Sequence, residues 1–143
     1  MLSLLPASGL RAQGFAERGL LVLARADLRV ASLGRGEVGA LFLRTRSTLD
    51  DGTPVTVIDA LDDALRDAFY LQVLGRSPVQ MHAYWSRMVF SGGGRPPARL
   101  DLASALGRLR ESATAHLAYI PAADAGRLDL RGLRVVYSSG DTR

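Results

Sequence analysis

The chain of 143 residues contains no cysteine and no lysine, and it has only two histidines. The absence of cysteine excludes disulfide bonds, cysteine-ligated zinc and thiol catalysis. His82 and His116 lie far apart in the sequence and form no metal-spaced pair, so we predict neither a metal site nor a cofactor. No stretch approaches the 18 apolar residues of a membrane-spanning helix, so we predict no membrane span.

Charge is the second feature with a bearing on function. All 18 basic residues are arginine, against 14 acidic residues, which gives a formal net charge of +4. The arginines are scattered, and no run of five or six like charges occurs. We attribute them to the coding bias of a GC-rich bacterial genome and not to a nucleic-acid motif. A basic surface still favours anions in general.

The length and the apolar content of 48% are sufficient for one domain with its own core. Short apolar runs predict strands, and apolar residues at helical spacing predict helices between them. The predicted order is β-α-β-α-α-α-β-β, with strands near 20–24, 55–58, 116–120 and 133–137. This order predicts the α/β class, with a small mixed sheet flanked by helices.

Residues that begin and end helices support this assignment. Ser32 and Asp101 are predicted N-caps, because their side-chain oxygens can accept hydrogen bonds from the first turn. Gly75 is a predicted C-terminal stop. Ser77-Pro78 is predicted to open the next helix, which ends at Ser91.

Residues 1–14 form an apolar segment that is similar to the back half of a secretory signal peptide. The remainder, 15–143, is predicted to be a single domain. The chain is accordingly expected to be exported, with a plain apolar tail as the alternative interpretation of 1–14.

Three stretches carry a resemblance to a known family. They are "ASLGRGEVGALFLRTRSTLDDGTPVTVID", "LRDAFYLQVLGRSPVQMHAYWSRMVFSGGGRPP" and "SATAHLAYIP". Together they resemble the short, periplasmic-binding-protein-like members of the phosphate ABC transporter substrate-binding protein family. The resemblance covers about Leu20 to Tyr137, and its most specific part is Phe69 to Pro97.

The resemblance implies a fold and a set of partners. It implies one lobe of a periplasmic binding protein, since the full-length proteins have two lobes around a cleft and about twice this length. It also implies a periplasmic location, phosphate as ligand, and an ABC transporter permease or another envelope protein as partner. A lone lobe exposes its cleft face, so self-association is a further expectation.

The phosphate-binding turn of the family corresponds to the segment before Phe69. Its glycine and serine positions are replaced here by Asp62, Asp63 and Ala64. Two carboxylates at a helix N-terminus can cap the helix and interact with its dipole, and they would repel phosphate. Arg66 matches an arginine of the short members and is a candidate anion ligand.

The second candidate anion contact is the turn Ser91-Gly92-Gly93-Gly94-Arg95. Its backbone N–H groups, hydroxyl and guanidinium could surround an anion. However, it follows a helix C-terminus, where the dipole disfavours anions. We therefore interpret it first as a helix stop, and second as an anion contact.

Three classes of function follow. The first is a non-catalytic module that binds phosphate or a similar oxyanion. The second is an accessory or protein-interaction domain of the same fold that has lost its ligand. The third, an enzyme using Asp62 and Asp63, is disfavoured because adjacent helical residues do not face each other. Stacking of Tyr84, Trp85 and Phe90 on nucleic acid is also disfavoured, because their helical spacing indicates core packing.

Overall fold

A computed structural model describes residues 7–140 of the chain. The domain contains five α-helices and a five-stranded sheet within this range. In chain order the elements are α1 (Ala7–Arg18), β1 (Leu20–Arg25), α2 (Arg35–Phe42), β2 (Val55–Ala60), α3 (Asp63–Phe69), a π-helical turn (Tyr70–Leu74), α4 (Pro78–Phe90), β3 (Ala98–Leu100), α5 (Leu102–Glu111), β4 (Ala115–Pro121), a 3₁₀ turn (Ala122–Asp124) and β5 (Leu133–Ser138).

The sheet is mixed, and its strand order is β3-β2-β4-β1-β5. Strand β2 pairs in parallel with both β3 and β4, whereas β1 pairs antiparallel with β4 and β5. The predicted class, a single α/β domain with a small mixed sheet flanked by helices, is confirmed. Because β2, β3 and β4 run in the same direction, their carboxyl ends meet at one edge of the sheet, where ligand sites of such folds usually lie.

Side chains alternate between the two faces of the sheet, and each face buries its own apolar cluster. In β4, for example, Leu117 and Tyr119 belong to one cluster, whereas Ala118 and Ile120 belong to the other. The larger cluster includes residues of α2, α3 and the π-helical turn. The smaller cluster packs against α5. The helices therefore cover both faces of the sheet.

Most predicted helix ends are confirmed. Gly75 ends the π-helical turn in the left-handed conformation, with φ 65°. Ser77 caps α4 and forms a reciprocal pair of hydrogen bonds with Gln80, and Pro78 is the first residue of that helix. Asp101 caps α5 by accepting a hydrogen bond from the Ser104 N–H.

The predicted N-cap at Ser32 is wrong. Helix α2 begins at Arg35, and Gly34 is its N-cap, with the Glu37 carboxylate accepting a hydrogen bond from the Gly34 N–H. The reason is a tertiary contact, because the Leu33 N–H donates to the Val136 carbonyl of β5. This bond ties the preceding loop to the edge strand of the sheet, so the helix starts later.

Three elements were not predicted, besides the short 3₁₀ turn Ala122–Asp124. The first is α1, which crosses the boundary placed between residues 14 and 15, buries Ala12 in the core and packs on α3. The second is β3, whose three residues are too few for a periodic signal. The third is the π-helical turn, a geometry that often marks functional sites. Residues 1–6 of the apolar segment lie outside the described range.

Among residues 7–140, no helix has both the length and the apolar character needed to cross a membrane.

Candidate functional site

The site is built around a buried carboxyl group at the carboxyl end of β2. Asp59 is only 3% exposed, and it follows Val55 and Val57 on the same face of the strand. An aspartate at this position is unusual, because the two valines before it belong to the core.

Two tyrosines and one backbone N–H stabilise the Asp59 carboxyl group. The Tyr119 hydroxyl and the Ala60 N–H donate hydrogen bonds to Oδ1, and the Tyr70 hydroxyl donates to Oδ2 at 2.7 Å. Burial raises the pKa of Asp59, and the three donors lower it by less, so the pKa remains above its usual value. Burial and the neighbouring carboxylate raise the pKa of both phenols, so both hydroxyls keep the protons that they donate.

Asp59 also lines a cavity of about 530 Å³ between the sheet and α4. We call it the arginine–tryptophan cavity, and its polar lining residues are Asp59, Arg66, Tyr70, His82, Trp85, Ser86 and Arg99. Its apolar wall includes Val89, Phe90, Pro96 and Pro97. Helices α3 and α4, the π-helical turn and strand β3 together position this lining.

Two nitrogen atoms in this lining are buried and have no hydrogen-bond acceptor among the described residues. They are Nε of Arg66 and Nε1 of Trp85; Oδ1 of Asp67, 3.7 Å from Arg66 Nη2, is likewise buried without a hydrogen bond to the described residues. The indole N–H lies close enough to the Tyr70 hydroxyl to lower the pKa of that phenol slightly, but not in hydrogen-bond geometry. A buried donor left unpaired costs about 1–3 kcal/mol, and an acceptor in the cavity would recover this free energy once the two side chains turn these nitrogens toward it.

The second arginine in the cavity lining is positioned by the sheet. Arg99 lies on β3 directly opposite Asp59 in the parallel ladder. Its Nε donates to the Ala60 carbonyl and its Nη2 to the Leu61 carbonyl, both at 2.9 Å. Nη2 also forms an ion pair with the Asp63 carboxylate at 2.6 Å. These contacts hold the guanidinium at the edge of the sheet.

The turn Asp62-Asp63-Ala64, which was expected to be an altered anion-binding turn, lies beside the cavity and does not line it. Asp62 caps α3 through the Leu65 N–H and forms an ion pair with Arg11 at 2.7 Å. Asp63 pairs with Arg99, and more distantly, at 3.5 Å, with Arg66. Ala64 is buried in the core. Each of the two carboxylates therefore has an arginine partner, which weakens their repulsion of an anion.

The glycine-rich turn is exposed, and neither its serine, its glycines nor Arg95 lines the cavity. The Gly92 N–H donates to the Val89 carbonyl, and the Gly93 N–H and the Ser91 hydroxyl both donate to the Met88 carbonyl. These groups complete the last turn of α4 and are occupied. This geometry favours the interpretation as a helix stop.

The three aromatic residues of α4 differ in their exposure to solvent. Tyr84 and Trp85 are half-buried, with ring centroids 4.9 Å apart, and the Tyr84 hydroxyl donates to the Leu43 carbonyl at 2.7 Å. Phe90, in contrast, is 96% exposed. The prediction that all three pack in the core is therefore wrong for Phe90, because it lies on the solvent face at the last turn of the helix.

No protein-family model matches this chain, and no curated protein sequence matches it. In the part of the chain that the structure describes, no group of three acidic or histidine side chains could hold a metal ion.

Sequence reasoning identified Arg66 and missed the rest of the cavity lining. Asp59 carried a readable signal, since it continues the alternation of Val55 and Val57 on the buried face of β2. Trp85 was assigned to packing alone. Arg99 gave no signal, because only the parallel pairing of β3 with β2 brings it opposite Asp59.

Proposed function

We propose that this domain is a non-catalytic binding module for a small oxyanion, with hydrogenphosphate as the first candidate, and that the anion occupies the arginine–tryptophan cavity. The observation that carries the proposal is the pair of buried, unpaired donors, Arg66 Nε and Trp85 Nε1, on two side chains that line one cavity. Oxyanions supply several acceptor oxygens at once, and a guanidinium binds them with charge-assisted hydrogen bonds.

The buried carboxyl group supports a protonated anion in particular. A carboxylate in the wall repels an anion that has no proton, whereas it accepts a hydrogen bond from one that does. Asp59 would therefore favour hydrogenphosphate over sulfate, which carries no proton at neutral pH. The cavity is also larger than one phosphate, and its apolar wall at Val89 and Phe90 leaves space for an organic substituent.

The proposed cellular location and partners of the domain rest on the family resemblance alone. A short member of the phosphate ABC transporter substrate-binding protein family would be exported to the periplasm and would deliver its anion to a permease or another envelope protein. Most of the residues that line the arginine–tryptophan cavity fall in the region where the resemblance is most specific, between Phe69 and Pro97.

The direct test is calorimetric titration of the purified full chain with inorganic phosphate, with sulfate as the control anion. We expect saturable binding of phosphate in the micromolar range and weaker binding of sulfate. Phenyl phosphate, which adds an apolar group, is expected to bind at least as well as phosphate.

Arg66→Gln and Arg87→Gln form a matched pair of variants for the same titration. Arg66 lines the cavity, whereas Arg87 is exposed on α4 and does not line it. Loss of one charge-assisted contact of about 1.5–3 kcal/mol weakens binding about ten- to a hundredfold in Arg66→Gln. Arg87→Gln should bind like the wild type. No heat at millimolar phosphate, or equal losses in both variants, would contradict the proposal.

A second candidate function, an accessory or protein-interaction domain, is favoured by a different observation. Two adjacent apolar side chains at the last turn of α4 are more than half exposed: Val89 at 53% and Phe90 at 96%. Exposed apolar side chains grouped in one region often mark an interaction surface. Absence of phosphate binding would leave this function as the better supported one.

A further inference from the structure

The net charge of the chain is concentrated in one segment. Residues 68–100 contain four arginines and no acidic residue. The remaining 14 arginines are balanced by all 14 acidic residues, so this segment accounts for the whole net charge of +4. Helix α4 lies within it, and of its residues only Met81 is fully buried.

The end of α4 combines this charge with the most exposed aromatic ring of the segment. Phe90 is 96% exposed and Val89 is 53% exposed. Arg87 on the last turn and Arg95 in the following turn are both exposed, and neither forms an ion pair with the described residues. We call Arg87, Val89, Phe90 and Arg95 the basic tip.

A complementary surface lies at the carboxyl edge of the parallel strands. It is a cavity of about 490 Å³ with apolar walls that include Phe15, Leu61, Leu100, Leu102 and Pro121. We call it the acidic crevice, because its lining contains four aspartates and one arginine. Arg11 is paired with Asp62, Asp124 is paired with Arg127, and Asp59 is only 3% exposed. Asp101 forms no ion pair among the described residues and caps α5.

We propose that the basic tip of one copy docks into the acidic crevice of a second copy. Among the described residues, an exposed phenyl ring, with unpaired arginines three residues before it and five after it, matches an apolar crevice whose lining includes the unpaired carboxylate of Asp101. The two surfaces are different parts of the chain, so the contact is head-to-tail. Such an interface repeats from copy to copy until it closes into a ring or forms an open chain. The tip and the crevice share Val89, Phe90 and Asp59 with the lining of the arginine–tryptophan cavity, but docking requires no bound anion.

The small size of this interface limits the expected strength of the self-association. The tip contributes a few side chains, so the contact belongs at or below the small end of specific interfaces, under about 1,200 Å². We therefore expect association only at high protein concentration, about 0.1–1 mM. Because the tip and the crevice carry opposite charge, association should weaken as the salt concentration rises.

The test is sedimentation equilibrium of the full chain and of two variants. The tip variant carries Phe90→Ser and Arg95→Glu, both at exposed positions. The crevice variant carries Leu61→Arg, at a side chain that is 55% exposed, and Asp101→Ser, which keeps a capping oxygen on α5. Val79→Ser is the control, on an exposed side chain about 16 Å from Phe90 along the same helix.

The expected results follow from the head-to-tail geometry. The wild type and Val79→Ser associate beyond the dimer at low salt and dissociate in 0.5 M NaCl, a concentration at which the screening length is about 4 Å. Each double variant alone stays monomeric. An equal mixture forms dimers and nothing larger, because the intact tip of one variant meets the intact crevice of the other. A monomeric wild type at 1 mM, a tip variant that still associates, or a monomeric mixture would overturn the proposal.

Discussion

Replacing Phe69 by alanine is expected to lower the free energy of unfolding by about 3–5 kcal/mol. Phe69 is fully buried, and its ring lies 3.9 Å from that of Tyr119 and 4.6 Å from that of Phe42, measured between centroids. The substitution removes the ring that joins α3 to α2 and β4, and the packed neighbours cannot close the cavity that remains. Urea unfolding followed by circular dichroism measures the loss.

The chain offers a matched control for this substitution. Phe90→Ala makes the same chemical change at a ring that is 96% exposed. Its effect on unfolding should stay within about 0.5 kcal/mol, as for most surface substitutions. If the two variants lost equal stability, the placement of these two rings would be incorrect.

Tyr119→Phe is expected to lower the free energy of unfolding by about 1.5–3 kcal/mol, the usual contribution of a hydrogen bond to a charged group. The Tyr119 hydroxyl donates to the buried Asp59 carboxyl group and accepts from the Ala60 N–H at 3.1 Å. Phenylalanine keeps the packing of the ring and removes only these bonds. The measurement is again urea unfolding, at neutral pH.

Tyr84→Phe provides the comparison for this prediction. The Tyr84 hydroxyl donates to a neutral acceptor, the Leu43 carbonyl, at a half-buried position. Its loss should cost about 0.5–1.5 kcal/mol. A cost in Tyr84→Phe as large as that in Tyr119→Phe would mean that Asp59 does not depend on its tyrosine donors.

Local signals in the sequence predicted the ends of elements well. Gly75, Ser77 and Asp101 act through contacts with residues at most five positions away, so their roles can be recognised without the fold. Ser32 failed for the opposite reason, because the contact of Leu33 with Val136 spans about a hundred residues. Long-range contacts of this kind override local capping preferences.

The candidate site was less predictable than the fold. Arg66 was named only because its segment resembles a known pattern, and no family model matches the chain. Asp59 and Arg99 lie opposite each other because of a parallel ladder of three residues between β2 and β3. No periodic signal in the sequence reveals so short a strand. The exposure of Phe90 was also missed, since helical spacing alone does not tell which face of α4 is covered.

The most direct test of the oxyanion site uses the single tryptophan of the chain. Trp85 is the sole tryptophan, so a ¹⁵N-labelled sample gives one indole N–H resonance that reports on the arginine–tryptophan cavity. We predict that this resonance shifts progressively as inorganic phosphate is added and that the shift saturates with the calorimetric dissociation constant. A resonance that stays fixed up to millimolar phosphate would contradict the account.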